Sequence, residues 1–597
     1  MTRTRVQLDE AQQAAVDDDS RVIVVRASAG SGKTEVLAQR VERIVSADTA
    51  GGRRVLCLSY TNRAAAELHD RFADRLGDRS QLVETSTMHA FAHDVVRRHG
   101  TWLGLPLEVE VLATDTDRLM LFSEALADSG HGGLETDGYA LLRRVDLARA
   151  RGEADDLAEI WKATMAAQGV LDFQALIDAA TELLELEAIA RQIRRPYGHV
   201  FVDESHNLTP SQDTMLRLLV SNPGTDGPSV MLVGEPDQAL VDFAGGDGQL
   251  MMRFADDFEG NSHRLEVNYR SAGRLVMLAS AVKANLDQEP ATHDPSYGAE
   301  GSIELRELPD EPTEAGAVAE WALQLVEAGA PRDALAPDED TTVAWGDIAV
   351  LARSGAGLRH VRAALESRDI PVAHAVAIED WMASTLGRVA LALVCWRGGS
   401  NLSGARWLSQ ELGLSHVEQD EAKLFEAVQE LAAWLASAGR ADGPSELFDH
   451  MGDADHSEDE ASSVVWEADR QELLASWRVY SARVPQRDRS WSSLQVFLSR
   501  LPRETAGDDA LRLGTIHSAQ GREFKAVGVV GLNDGQLPDF RARSVEEQAS
   551  ELRAFYVAVS RPTRLLLITR AQSRETRYGH RASERSPYLA YVDPLLK

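Results

Sequence analysis

Cysteine is nearly absent from the 597 residues: Cys57 and Cys395 are the only two. Two thiols cannot build a disulfide framework or a four-cysteine metal cluster, and such usage suits a reducing cytoplasm. Lysine is almost as scarce, at six of 62 basic residues, so arginine carries nearly all the positive charge. Positive charge is itself in deficit, since 94 acidic residues bring the net charge to −32. A chain this acidic repels nucleic acid at long range, so a nucleic-acid reading requires a local basic groove on an acidic body. Long apolar runs are missing too. No stretch approaches the roughly 18 residues of a membrane span, and MTRTRVQLDE at the start has no apolar signal region. The expectation is a cytoplasmic protein without membrane association. Its length exceeds what one core can organise, so roughly three to five packed units are expected.

What the chain does have is a series of short aliphatic runs: VIVV (22–25), VLCLS (55–59), HVFVD (199–203), VMLVG (230–234), IAVLA (348–352), VGVVGL (527–532) and LLLIT (565–569). They alternate with amphipathic helical patterns, which indicates α/β units whose parallel sheets are covered on both faces. There are enough runs for two sheets. Residues 101–190 and 380–505 lack them and read as helical. The second of these segments holds a polar run, DHMGDADHSEDE (449–460), that reads as a solvated loop.

VIVV leads into RASAGSGKTEVL, residues 26–37. Glycines in such a loop let backbone N–H groups turn inward around phosphates, and the following helix presents its N-terminus to them. Lys33 would reach the outer phosphates and the Thr34 hydroxyl would ligate Mg²⁺. The loop Ala29, Gly30, Ser31, Gly32, Lys33 and Thr34 therefore reads as a nucleoside triphosphate site, although Ala27 stands where a first glycine is usual. Such a site requires a carboxylate at a neighbouring strand end for the metal, and a group that orients the attacking water. VFVDESHNL (200–208) offers Asp203 for Mg²⁺ and Glu204 for water. ATP and Mg²⁺ are the expected cofactors.

From these two sites outward the chain resembles the superfamily 1A DNA helicases of the UvrD/Rep/PcrA type over nearly its whole length. LDEAQQAAV (8–16) resembles the family's Q motif, in which Gln12 would read adenine. SYTNRAAAEL (59–68) and TMHAF (87–91) resemble motifs Ia and Ib, and VDESHN (202–207) resembles motif II. VGEPDQALVDFAGG (233–246) resembles motif III, with Gln238 sensing the γ-phosphate. LEVNYRS (265–271) resembles motif IV, where Tyr269 would stack on adenine and Arg270 would touch the γ-phosphate. TIHSAQGREF (515–524) resembles motif V, with Glu523 near the ribose, and ELRAFYVAVSRP (551–562) resembles motif VI, with Arg561 as a second arginine finger. By resemblance, catalysis falls to Glu204, Lys33, Gln238, Arg270 and Arg561. Contacts to single-stranded DNA fall to Tyr60, Thr61, Asn62, His89, Phe91, Phe243 and His517, and a stacked base is worth about 1–3 kcal/mol.

The resemblance implies two RecA-like P-loop motor domains, each with a mainly helical insertion. Residues 1–100 and 186–275 would form the first and 276–379 and 506–597 the second, with insertions at 101–185 and 380–505. It implies ATP-driven 3′→5′ movement on single-stranded DNA and opening of duplex junctions, in repair, recombination or defence. A protein partner such as a nuclease or repair factor is compatible with it. The chain departs from the family pattern at His206 and Asn207 (usually Gln and Asp), at Glu35 (usually an arginine packed on adenine), at Val241 and Ala244 (usually tyrosine and arginine near DNA) and at Gln520 (commonly lysine). Residues for hydrolysis are complete and those for gripping DNA are thinned. That leaves open an ATP-binding switch subunit of a protein complex, or a motor on RNA. A histidine at 206 would make coupling pH-sensitive near a pKa of about 6.5. Arg143, Arg144, Arg149 and Arg151 are candidates for phosphate contact or for a solvated helix face, with Arg144 and Arg151 sharing one side.

Overall fold

Short aliphatic runs bounded by polar residues bury completely only inside a sheet covered on both faces. The computed structural model describes residues 7–47, 52–106 and most of 109–374 and 509–596; between 375 and 508 it describes Trp477, Tyr480 and Ser481 alone. The insertion expected at 380–505, with its acidic run, otherwise lies outside the described residues.

Six strands form the first sheet: β1 (Val22–Ala27), β2 (Arg54–Ser59), β3 (Val83–Thr87), β4 (Tyr197–Val202), β5 (Ser229–Gly234) and β6 (Asn261–Leu265). All run parallel, in the order β3-β2-β4-β5-β1-β6. Successive side chains point to opposite faces. Val24, Val202 and Leu232 thus enter one core, and Val25, Phe201 and Met231 enter the other. Helices α1 (Glu10–Asp17), α2 (Lys33–Ser46), α3 (Asn62–Leu76), α4 (Met88–His99) and α5 (Phe173–Glu185) accompany this sheet. The start of α1 is fixed by a capping box: Asp9 accepts the Gln12 N–H at 2.7 Å, and the Gln12 amide oxygen accepts the Asp9 N–H at 3.0 Å. Thr61 and Thr87 cap α3 and α4 in the same sense.

Helices of the 138–194 region share a core with the sheet, Trp161 and Leu176 packing with Val202 and Leu232. This region corrects part of the phosphate-contact expectation. Arg149 is buried and its guanidinium lies 2.7 Å from Asp172, so it is a core ion pair; Arg144 sits on Asp155 at 2.6 Å.

The second sheet comprises β7 (Ser302–Asp310), β8 (Ile348–Ala352), β9 (Val372–His374), β10 (Leu511–Thr515), β11 (Phe524–Val529), β12 (Pro562–Thr576) and β13 (Gly579–Ala582). Its order is β7-β12-β11-β8-β10-β9, all parallel, with β13 antiparallel on β12. Helices α6 (Gly273–Lys283) and α7 (Val545–Val559) cover one face, and the helix Glu311–Ala328 covers the other. The chain is therefore α/β with two parallel sheets, as its aliphatic runs indicate. Among the described residues no helix is long and apolar enough to cross a membrane.

Candidate nucleotide site and domain cleft

In a parallel sheet the C-terminal strand ends share one edge, so the loops after β1, β4 and β5 meet there. The loop after β1 turns through Gly30 at φ 74° and Gly32 at φ 82°, the left-handed region that glycine enters at little cost. It is also tightly enclosed. A Cβ on Gly30 would lie 2.6 Å from Asn268 Oδ1, and one on Gly32 would lie 2.7 Å from Gln12 Nε2. Gln12 Nε2 donates to the Ser31 carbonyl at 2.8 Å and Asn268 Nδ2 to the Ala29 carbonyl at 2.8 Å. The Tyr269 N–H donates to the Gly30 carbonyl at 2.9 Å. These clamps hold the loop by its carbonyls, leaving the N-terminus of α2 for an anion.

Asp203 is buried at the end of β4, its N–H donating to the Leu58 carbonyl at 2.9 Å. Glu204 follows with φ 51°, a left-handed conformation that costs a non-glycine residue roughly 1–2 kcal/mol. Its carboxylate lies 3.5 Å from Lys33 Nζ. Burial alone would raise the Glu204 carboxyl, but the cations around it, Lys33 first and then Arg561, prevail and hold it below the usual carboxylate range. Burial, followed by the Glu204 charge, pushes the Asp203 carboxyl the other way. Two adjacent acids are thus driven apart, one firmly ionised and the other in want of a cation.

Gln238 lies in a helical turn, Pro236–Gln238, after β5; it is 4% exposed, and its side chain meets the Tyr556 hydroxyl of the second unit. Arg561 comes from the second unit and is also buried. Its guanidinium donates to the carbonyls of Val557 and Arg522 and to Ser560 Oγ, each at 3.1 Å. Burial, then the like charge of Arg270, lowers its pKa to about 10, so it stays cationic at neutral pH. Arg270 itself pairs with Glu523. A triphosphate with Mg²⁺ fits this donor set. The loop is clamped by its carbonyls, and Lys33 and Arg561 supply cations. The Thr34 hydroxyl, in the first turn of α2, and Asp203 are the groups that would hold the metal.

The two units also touch through uncharged groups. Gln520 Nε2 donates to Asn207 Oδ1 at 3.0 Å and to the Gln238 carbonyl at 3.1 Å, and stands 3.5 Å from His206 Nε2. His206 Nδ1 accepts the Glu235 N–H at 3.1 Å. Burial outweighs the pull of Glu204 and lowers the His206 pKa to about 4. That lies below the value near 6.5 on which the expected pH sensitivity rested, and it favours a neutral His206 at neutral pH.

The family model of the UvrD/REP helicase N-terminal domain matches residues 8–259, and that of the UvrD-like helicase C-terminal domain matches residues 492–573. DNA helicase II of Escherichia coli K12 is 25% identical over 649 aligned residues, spanning 96% of this chain and 85% of that protein. ATP-dependent DNA helicase PcrA of Leuconostoc citreum is 25% identical, with 99% and 85% covered. ATP-dependent DNA helicase UvrD1 of Mycobacterium tuberculosis H37Rv is 24% identical, with 94% and 81% covered. The chain belongs to the UvrD-like helicases of superfamily 1.

In this UvrD-like helicase the residues expected on the DNA side are unevenly placed. Tyr60 is 40% exposed and shares with His89 a crevice that reaches Asp203, Glu204 and Asn207. His89 meets Phe173 edge-on at 5.7 Å. Thr61 caps α3 and Asn62 is exposed beside it. Phe91 is a correction. It is 3% exposed and packs edge-on against Tyr197 at 6.2 Å, so its ring is core and has no free face for a base. His517 is half-buried, and burial pushes it down to about 4. Phe243, Val241 and Ala244 lie outside the described residues.

Two departures from the family pattern acquire partners. Glu35 accepts from Arg75 at 2.6 Å and from Gln39 at 2.8 Å, tying α2 to α3. Gln520, read as a cation missing from the DNA side, instead faces the hydrolytic side. Tyr269, expected at the adenine, is 40% exposed, with its hydroxyl donating to Asp9 at 2.5 Å. Sequence reasoning missed Asn268, Glu235 and Lys283. Glu235 carried the same signal as Asp203, an acid directly after an aliphatic strand, and Lys283 stood out as a lysine ending an apolar helix.

Proposed function

We propose that the chain is an ATP-dependent DNA helicase that moves 3′→5′ on single-stranded DNA and opens duplex junctions as a consequence. The observation that carries this reading is the cleft itself: Gln520 of the second unit bonds Asn207 and the Gln238 carbonyl of the first, and the buried Arg561 cation of the second is among the charges that keep Glu204 ionised beside the phosphate loop. A site completed from both units makes their closure depend on the outermost phosphate. The names of the relatives, DNA helicases throughout, support DNA as the track.

Lys33 would bind the outer phosphates, and Thr34 and Asp203 would hold Mg²⁺. When bound, the metal neutralises charge developing on the phosphate oxygens. Glu204, kept ionised by its cationic surroundings, orients the attacking water. Gln238 and Arg561 meet the γ-phosphate, and Arg270 joins them on leaving Glu523. Gln12 and Tyr269 border the adenine, and Glu523 borders the ribose. Gln520 relays displacement of Asn207 and Gln238 to the second unit. On the opposite side Tyr60, Thr61, Asn62, His89 and His517 contact the strand. Residues 1–100 with 186–275 act as one motor domain and 276–379 with 506–597 as the other, working in the cytoplasm.

The test is steady-state ATP turnover with and without single-stranded DNA, in the parent and in Glu204→Gln. Turnover should rise with DNA, and the variant should bind ATP while losing about 10²–10⁴-fold in rate. Parental turnover in the variant would remove Glu204 from its role. A parental rate indifferent to DNA would favour a nucleotide switch acting on a protein partner.

A further inference from the structure

Lys283 is one of the chain's six lysines, and it ends α6 inside the protein with its side chain 1% exposed. Lysine is almost never fully buried unless paired. Here its Nζ lies 2.6 Å from Glu235 Oε2 and 3.4 Å from Asp237 Oδ2, and donates to Ser28 Oγ at 3.3 Å. Ser28 Oγ donates in turn to Glu235 Oε2 at 3.1 Å. Arg26, in β1, lies 3.5 Å from Glu235 and 3.3 Å from Asp237. Glu235, Asp237, Arg26 and Ser28 all belong to the first sheet and its loops, whereas α6 packs on the second sheet. Removing Lys283 takes away the cation that lies 2.6 Å from Glu235 and 3.4 Å from Asp237, and leaves both acids buried.

The position of that charge matters because of what it joins. Ser28 opens the phosphate loop, and Glu235 opens the turn that carries Gln238, whose N–H donates to the Glu235 carbonyl at 2.9 Å. The ammonium touches both the loop and the turn, so it sets the distance between them. We propose that Lys283 is a positioning residue for ATP hydrolysis: seated from the second unit, it acts through Glu235 to hold Gln238 in register with the phosphate loop. The proposal rests on the reading of the chain as an ATP-hydrolysing motor. It adds that the register of Gln238 depends on how α6 is docked.

Steady-state ATP turnover of the full chain with a single-stranded oligonucleotide tests this, in the parent, in Lys283→Met and in Glu235→Gln/Lys283→Met. Lys283→Met should lower kcat at least tenfold and move KM for ATP less than threefold, because Lys33 and the loop still bind nucleotide. The double variant, with one charge of each sign removed, should regain a thermal midpoint near the parent's and keep the low kcat. Parental kcat in either variant would overturn the proposal. So would a double variant that recovers kcat along with its midpoint, since Lys283 would then be a structural brace alone. Should Lys283→Met not fold, the double variant decides the matter by the same two readouts. A parent without ATP turnover would overturn the motor reading itself, and its own rate tells that failure apart from the others.

Discussion

Two of the contacts between the first unit and the second come only three residues apart in sequence, and they are chemically opposite. At Glu235 the link is Lys283, a buried ion cluster in which every charge has a counter-charge. At Gln238 the link is Gln520, an amide whose bonds go to another amide and a carbonyl. A neutral hydrogen bond exchanged for water is worth only about 0.5–1.5 kcal/mol net. Separating one partner of a buried ion pair costs about 3–5 kcal/mol. Of these two contacts the amide one is the cheaper to break.

The largest effect that would break this comparison is on stability at the ionic joint. Lys283→Met should cost about 3 kcal/mol, at the low end for a broken buried pair because Arg26 still faces Glu235. Urea unfolding of parent and variant measures it; a loss under about 1 kcal/mol would make the two joints equivalent.

An intermediate effect concerns His206, which links the joints by accepting the Glu235 N–H. Its folded pKa, about 4, lies below the ordinary value near 6.5. The unfolded chain therefore takes up a proton in the window where the folded chain does not. The stability His206 contributes is complete above about pH 6.5 and declines as pH falls toward 4. Between pH 7 and 5 this amounts to about 2 kcal/mol. Asp203, shifted upward, pulls the other way. The contribution is therefore read as the change, between those pH values, in the stability gap between parent and His206→Gln. A gap that stays constant would place a charged imidazole in the folded protein. The smallest effect is Gln520→Ala, which should cost about 1 kcal/mol and a few-fold in DNA-stimulated turnover. A thermal midpoint lowered as far as by Lys283→Met would erase the distinction.

Much of the fold was legible because burial on both sheet faces writes itself into sequence as unbroken aliphatic runs, and VIVV, VFV and VMLVG all became central strands. The phosphate loop was legible for a similar reason, since Gly30 and Gly32 occupy backbone positions that other residues strain to adopt. Direction was not legible. Nothing in the order of residues tells that Gln520 turns toward Asn207, or that Phe91 turns into the core while Tyr60, at the mouth of β2, remains exposed. Ion clusters were the least legible feature, because Lys283 and Glu235 are 48 residues apart and meet only when the two units dock.

Glu204 sits in a backbone conformation that suits asparagine or glycine better than glutamate, next to a carboxyl that its own charge destabilises. Its replacement by asparagine would relax both. The same carboxylate is also the counter-charge 3.5 Å from Lys33, so the strain is retained together with the pair, and Glu204→Asn gives up one to relieve the other.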